Sequence, residues 1–383
     1  MTTVNPISFI DLEAQRARLE PGLTRAVNKV LDHGKFIMGP EVAELEAQLS
    51  GFCGARHAIS CSSGTDALLL ALMARGLGRA DAVFVPAFSF AATAEVVVLA
   101  GATPYFVDVR RDTFNICVES FEAAIHAASA QGLNPAAVIP VDLFGQLVDY
   151  RSLMPIAEAH ELFVLCDGAQ SFGARLDQSR AGSFGHATAF SFFPAKPLGC
   201  YGDGGAVVTD DGDLADLMRS IRVHGKGAHK YDNARIGLNA RLDTIQAAIL
   251  LEKLTVFEDE IERRQDVADR YEEGMGEVVQ TPQIIDGAMS CWAQYTILVE
   301  DRDRLANSLQ QEGIPTGVYY PLPLNKQSAY RDYPVSPGGT PTSEFLSQHV
   351  LSLPMHPYLA SEQVSACIYA LKNSVNLPAR VAR

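Results

Sequence analysis

The sequence predicts an α/β protein: a mainly parallel sheet covered by helices on both sides, followed by a smaller α/β unit. Three observations predict it. Short, nearly continuous apolar runs recur through the first three-fifths of the 383 residues. Helical stretches fall between those runs. After Arg241 the alternation gives way to long helices and a few further strands. A short run without polar alternation is the pattern of a strand buried on both faces, and crossover helices cover both faces of a parallel sheet.

The elements follow in chain order. Strands are expected at 82–86, 104–108, 136–141 and 162–166, with helices such as 90–99 and 152–160 between them. Two more strands, 186–193 and 204–209, flank a loop with two prolines. Residues 242–254 are apolar on a broad face at Leu242, Ile245, Ile249, Leu250 and Leu254, so this helix is buried or lies at an interface. Residues 255–275 are heavily charged, with Asp259/Arg263 and Glu260/Arg264 at i,i+4 spacing, which predicts an exposed connecting helix. The remainder reads as strand 294–299, helix 302–311, strand 316–320 and a final helix 361–372. We divide the chain into a large unit, 20–254, and a small one, 255–383, with residues 1–19 packing on the latter.

Composition narrows the function. The chain is 48% hydrophobic and 20% charged, enough for a large core and more than one domain. A net charge of -14 argues against a nucleic-acid partner. The segment 219–241 departs from this acidity: Arg219, Arg222, Lys226, Lys230, Arg235 and Arg241 are joined by a single carboxylate, Asp232. Such a stretch reads either as a solvated face or as a glycine-punctuated loop for a small polyanion. Seven cysteines include no C-x-x-C pair, so reduced thiols are expected, with neither a disulfide framework nor a metal site. No apolar run is suited to crossing a bilayer, and Met1-Thr-Thr-Val-Asn-Pro6 has no leader-peptide core. A cytoplasmic protein is expected.

Three motifs carry chemistry. In Ser191-Phe-Phe-Pro-Ala-Lys196-Pro, prolines bracket Lys196 and keep it out of a regular helix. A lysine fixed at a strand end is placed to form a Schiff base, provided its surroundings favour the neutral amine; otherwise it is a surface lysine. Ser62-Ser-Gly64-Thr65-Asp66 opens an apolar helix, and its free N–H groups make either a phosphate site or an ordinary cap. Asp167 follows the apolar run 162–166, where it either caps the next helix or faces a ligand at the strand's carboxyl end. Against a pyridine ring, a carboxylate there keeps the ring nitrogen protonated.

Phosphate cradle, acid and loop lysine come in this order. With Gly34-Lys-Phe-Ile-Met-Gly-Pro40, Gly204-Gly-Ala206 and Asn239-Ala-Arg-Leu-Asp-Thr-Ile-Gln-Ala-Ala248, they make the chain resemble the sugar aminotransferases of the DegT/DnrJ/EryC1/StrS family along essentially its whole length. The resemblance implies fold type I, a sheet of the seven-stranded type and pyridoxal 5'-phosphate as cofactor. It implies that Lys196 bonds the cofactor, Asp167 meets the pyridine nitrogen and Gln170 the ring hydroxyl. Gly64, Thr65 and Ser191 would hold the phosphate, and Phe90 would stack on the ring. Asn239 would reach the phosphate from a neighbouring subunit, hence a homodimer with shared sites.

The stretch Pro197-Leu-Gly-Cys-Tyr-Gly-Asp-Gly-Gly205 and Ser352-Leu-Pro-Met-His-Pro-Tyr358 further resemble transaminases of UDP-linked 3-keto-hexuronic acids, which take glutamate as donor on the way to diamino sugars of O-antigens. A uronate carboxylate wants a cation, and Arg241 is the candidate. Tyr319 and Tyr320 resemble substrate-contacting residues, although several relatives carry His-Tyr there. An aminotransferase of a TDP-linked keto-deoxyhexose is the alternative, and a regulator that keeps the fold without chemistry is a weaker one. Dehydratases of the same family have histidine where this chain has Lys196.

Overall fold

The computed structural model describes residues 6–229 and 231–376. Of the basic segment, Lys230 therefore lies outside the described residues.

Seven strands form the central sheet: β1 (His57–Cys61), β2 (Asp81–Pro86), β3 (Thr103–Val107), β4 (Asn134–Val138), β5 (Phe163–Asp167), β6 (Ala187–Ser191) and β7 (Gly205–Thr209). Their spatial order is β1-β7-β6-β5-β4-β2-β3. β7 is antiparallel to both neighbours, and the remaining pairs are parallel. Register sets Phe84 opposite Tyr105 and Asp167 opposite Ala189. The apolar runs are continuous because both faces are covered. Along β2, Ala82 and Phe84 join a core with Phe121 and Phe190, whereas Val83 and Val85 join a second core with Ile59 and Leu70. This is the fold-type I architecture.

Helices α1 (Leu12–Leu19), α2 (Gly22–His33) and α3 (Pro40–Cys53) precede the sheet, and α4 (Gly64–Arg75), α5 (Ala92–Leu99), α6 (Val118–Ala130), α7 (Tyr150–Ala159) and α8 (Gly212–Ile221) cover it. After α9 (Thr244–Leu254) and α10 (Phe257–Met275), a third core forms around Tyr271, Tyr295, Leu309, Leu351 and Leu371. It holds the antiparallel pair β8 (Tyr295–Leu298) and β9 (Val350–Leu353) between α10, α11 (Arg302–Gln311) and α12 (Ser361–Asn376). No described helix is long and apolar enough to cross a membrane.

The structure corrects three expectations. The run 136–141 ends as a strand at Val138, because Pro140 has no N–H for the ladder. Residues 316–320 do not form a strand. Only Gly317 bridges Ser352; the chain then leaves the small sheet, Tyr319 and Tyr320 line the cavity described below, and Pro321 has no N–H with which to resume a ladder. Finally, α10 is not an exposed connector, since it buries Phe257, Ile261, Ala268 and Tyr271. Asp259 and Arg263 do pair on its outer face, at 2.7 Å. Glu260 and Arg264 do not pair. Glu260 accepts from Gln15 and Tyr358, while Arg264 donates to the carbonyls of Trp292 and Met355. Burial redirected both charges to partners from other parts of the chain, as an uncompensated buried charge requires.

Candidate active site

The carboxyl ends of β5 and β6 and the start of α4 converge on a cavity of about 450 Å³. Asp167 ends β5 and is buried. Its Oδ2 accepts from Thr93 Oγ1 at 2.8 Å and its Oδ1 from the Ala169 N–H at 3.2 Å. Burial pushes its carboxyl above the usual range, against which those donors and the charge of Lys196 work. Ser89 Oγ lies 3.1 Å from Thr93 Oγ1 and extends the hydroxyl relay.

Lys196 stands in the turn after β6, its N–H bonded to the Phe193 carbonyl at 2.8 Å. Burial pushes its ammonium below the ordinary lysine value, while Asp167 and Cys291 oppose the shift. The geometry therefore favours a neutral amine that still has an acid within electrostatic reach. Gln170 is fixed in orientation. The Phe144 N–H donates to its Oε1 at 2.7 Å, so its Nε2 donates to Tyr320 Oη at 3.1 Å. Phe144 sits in a tight turn with Gly145, whose φ is 100°. A Cβ at Gly145 would come within 2.8 Å of the Ala293 and Trp292 nitrogens, so only glycine lets this turn approach.

The far end of the cavity is the start of α4. Ser63 Oγ caps it through the Asp66 N–H at 3.0 Å, leaving Gly64 and Thr65 in the first turn. A Cβ at Gly64 would lie 2.6 Å from Ser191 Cβ. The backbone is thus open where Ser191 faces the helix start, which is the form of a phosphate cradle. Phe90, 59% exposed, stands at the mouth with its ring 6.2 Å from that of Tyr320. Tyr320 also meets Phe88 edge-on, and burial pushes its phenol up.

Gly64, Thr65, Phe90, Asp167, Gln170 and Ser191 thus line one cavity with Lys196, Tyr319 and Tyr320. Pyridoxal phosphate asks for an anion cradle, an acid for the ring nitrogen and an amine for the aldehyde. All three are present, so the residues fit the group. Asn239 and Arg241 do not line the cavity that a single chain forms. Arg241 donates to Asn239 Oδ1 at 2.5 Å, and among the described residues its Nε has no hydrogen-bond partner.

Sequence reasoning missed Thr93, the Phe144 N–H and Ile10, which also lines the cavity. Thr93 carried a signal, a hydroxyl inside the apolar run of α5 four residues after Ser89. Neither Phe144 nor Ile10 carried one.

The model of the DegT/DnrJ/EryC1/StrS aminotransferase family matches residues 19–372. A UDP-2-acetamido-2-deoxy-3-oxo-D-glucuronate aminotransferase of Pseudomonas aeruginosa is 44% identical over 96% of this chain and 100% of its own. A pleiotropic regulatory protein of Geobacillus stearothermophilus is 41% identical over 93% of this chain and 95% of its own. The crystal structure of an aminotransferase of this family from Brucella abortus superposes with a TM-score of 0.96 at 53% identity, covering 97% of this chain and 100% of that one.

Proposed function

The chain belongs to the DegT/DnrJ/EryC1/StrS aminotransferase family, whose cofactor is pyridoxal phosphate, and from that premise we propose that it moves the amino group of glutamate to C3 of a UDP-linked 3-keto-hexuronic acid, UDP-2-acetamido-2-deoxy-3-keto-glucuronate. The product would be a diamino sugar precursor for O-antigen lipopolysaccharide, made in the cytoplasm by a homodimer. One observation carries the chemical reading: the half-buried Lys196 and the buried Asp167 carboxyl share a cavity that ends at the open start of α4.

The phosphate would be held by Gly64, Thr65 and Ser191, the ring nitrogen by Asp167, the ring hydroxyl by Gln170, and the ring face by Phe90. When bound, the cofactor supplies an electron-withdrawing ring that stabilises negative charge on the carbon losing a proton. Lys196 Nζ takes the proton from Cα of glutamate and later gives one to C3 of the sugar, acting as base and then as acid. Asp167, fixed by Thr93 and Ala169, keeps its charge aimed at one point while the proton moves. Gln170, fixed by Phe144, leaves the Tyr320 hydroxyl free to donate into the cavity. The half-buried Tyr319 beside it would close the sugar pocket.

Asn239 and Arg241 support a shared site. Both lie outside the single-chain cavity, and the first is exposed. In a homodimer Asn239 would meet the phosphate of the neighbouring subunit, and Arg241 would meet the uronate. We also read 20–254 as the cofactor-binding domain, with 255–383 and residues 1–19 as the smaller one.

Glutamate offered with a panel of keto-sugar nucleotides, with 2-oxoglutarate as the readout, tests the substrate. The UDP-linked uronate should be the best acceptor, and Arg241→Ala should raise its KM roughly ten-fold or more, the worth of a charged hydrogen bond. A TDP-linked deoxy-keto sugar as best acceptor, with Arg241→Ala harmless, would transfer the reading to that substrate. The purified protein should be yellow and glutamate should bleach it; failure to do so after added cofactor would favour a regulator.

A further inference from the structure

Residues 6–11 form a strap, clamped at both ends, that brings Ile10 to the cavity. On one side three backbone carbonyls are held by the segment after β9. The Gln363 amide donates to the Pro6 carbonyl at 3.2 Å, and the Met355 N–H to the Phe9 carbonyl at 3.3 Å. His356 Nδ1 accepts from the Tyr358 N–H at 3.3 Å, so its Nε2 carries the proton and donates to the Ser8 carbonyl at 3.2 Å. Burial holds this imidazole down at about 4, so it is neutral, as that bonding pattern requires. On the other side Asp11 caps α1 through the Ala14 N–H at 2.8 Å. α1 is in turn tied to α10, since Gln15 Nε2 lies 3.0 Å from both oxygens of the buried Glu260 and Arg18 lies 2.6 Å from Asp259.

Phe9 ends the first clamp, and Ile10 lies between the two. Ile10 lines the cavity and keeps partial exposure, so it stands at its edge. Phe9 lies behind, its ring 6.2 Å from that of Tyr319. The space between them is tight: a Cβ at Gly317 would come 2.8 Å from Tyr319 Cε2 and 3.2 Å from Phe9 Cζ. Tyr319 is therefore braced from behind by a ring that the strap holds in place.

We infer that this strap is a fixed wall of the acceptor pocket, with Ile10 selecting an apolar group on the sugar and Phe9 a positioning residue that acts through Tyr319. The inference rests on the proposed keto-sugar reading. Ile10 offers neither donor nor acceptor, so it selects by shape and by displaced water. An apolar substituent of a hexose, such as the methyl end of an acylamino group, is the chemistry it fits. Glutamate is the smaller substrate and is served by the floor at Lys196, Asp167 and Gln170. The larger nucleotide sugar extends to the edge where Ile10 stands.

The two half-reactions separate these roles. Bleaching of the cofactor by glutamate reads one, and calorimetric binding of the nucleotide sugar, with return of the absorbance, reads the other. Ile10→Ala should weaken the acylamino sugar about ten-fold more than it weakens glutamate, the worth of one or two methylenes in a pocket. It should weaken the same sugar with a free amine in place of the acylamino group by less. Phe9→Ala should reproduce the sugar defect and Phe9→Leu should restore most of it. Gly317→Ala, which touches no substrate, should raise the sugar KM by displacing Tyr319. Equal losses on sugar and glutamate would reduce the strap to a structural role and overturn the inference, as would unchanged sugar affinity in Ile10→Ala. Should the wild-type protein refuse the uronate, the substrate reading fails by itself. The same ratios, read on whichever keto sugar it accepts, then decide the strap.

Discussion

The floor of the cavity and its edge are built in opposite ways. The floor comes from neighbouring strand ends and one helix start, and its groups are tied down by hydrogen bonds: Asp167 by Thr93 and Ala169, Gln170 by Phe144. The edge is gathered from distant segments, Ile10, Phe90, Phe193 and Tyr319, which are partly or largely exposed; the Phe90 ring packs on that of Tyr320 and the Tyr319 ring on that of Phe9. Proton transfer needs donors fixed to fractions of an ångström, and the carboxyl ends of parallel strands give that precision. Choosing a sugar needs only a wall of the right shape, which loops supply and can vary.

The comparison breaks most visibly at Lys196. Lys196→Ala should lower turnover by at least about 10^4-fold, the upper range for a positioned acid–base group, and should leave melting temperature and secondary structure near wild type. Edge variants should never approach that loss. Measured transamination within ten-fold of wild type in Lys196→Ala would remove the floor from the chemistry.

A smaller effect separates cofactor from substrate. Gly64→Ala puts a Cβ 2.6 Å from Ser191 Cβ, an overpacking that typically costs about 1–3 kcal/mol. Its expected consequence is a cofactor Kd raised roughly ten-fold, measured by titrating the apoprotein with pyridoxal phosphate. Ile10→Ala, at the edge, should leave that Kd within about two-fold. Equal cofactor affinity in Gly64→Ala and wild type would show that the close approach is not used.

The same contrast explains what the sequence disclosed. Lys196 was legible because two prolines isolate it, Asp167 because it ends an apolar run, and Gly64 because small residues open an apolar helix. Each signal is local, as the floor is. Arg264 and Glu260 misled because i,i+4 spacing says nothing of burial, and burial assigned both to distant partners. Ile10 gave no signal because its role depends on His356 and Met355, some 350 residues away. The run 316–320 looked extended and apolar, but only the fold decides that it leaves the small sheet to face the cavity.

Beneath the floor lies a carboxyl whose titration tests how rigid the floor is. Asp142 is buried; its Oδ1 accepts from the Val148 N–H at 2.9 Å and Tyr150 Oη at 2.8 Å, and its Oδ2 from Ser171 Oγ at 2.8 Å. Burial nonetheless pushes it up to about 7, with the charge of Asp167 adding to the rise. Its folded value is above the unfolded one. The stability it contributes is therefore present at low pH and is lost as pH rises toward 7, because the native state must then carry a buried charge that the unfolded chain hydrates freely. Asparagine keeps the geometry, its Oδ1 accepting from Val148 and Tyr150 and its amide donating to Ser171, and removes the charge. Asp142→Asn should therefore gain melting temperature on wild type between pH 5 and pH 8, by about 1–2 °C. The edge variant Ile10→Ala should show a difference from wild type that does not change with pH. A constant difference for Asp142→Asn would mean that this carboxyl stays in one protonation state across the range, and that the strand-end floor tolerates buried charge more readily than its burial implies.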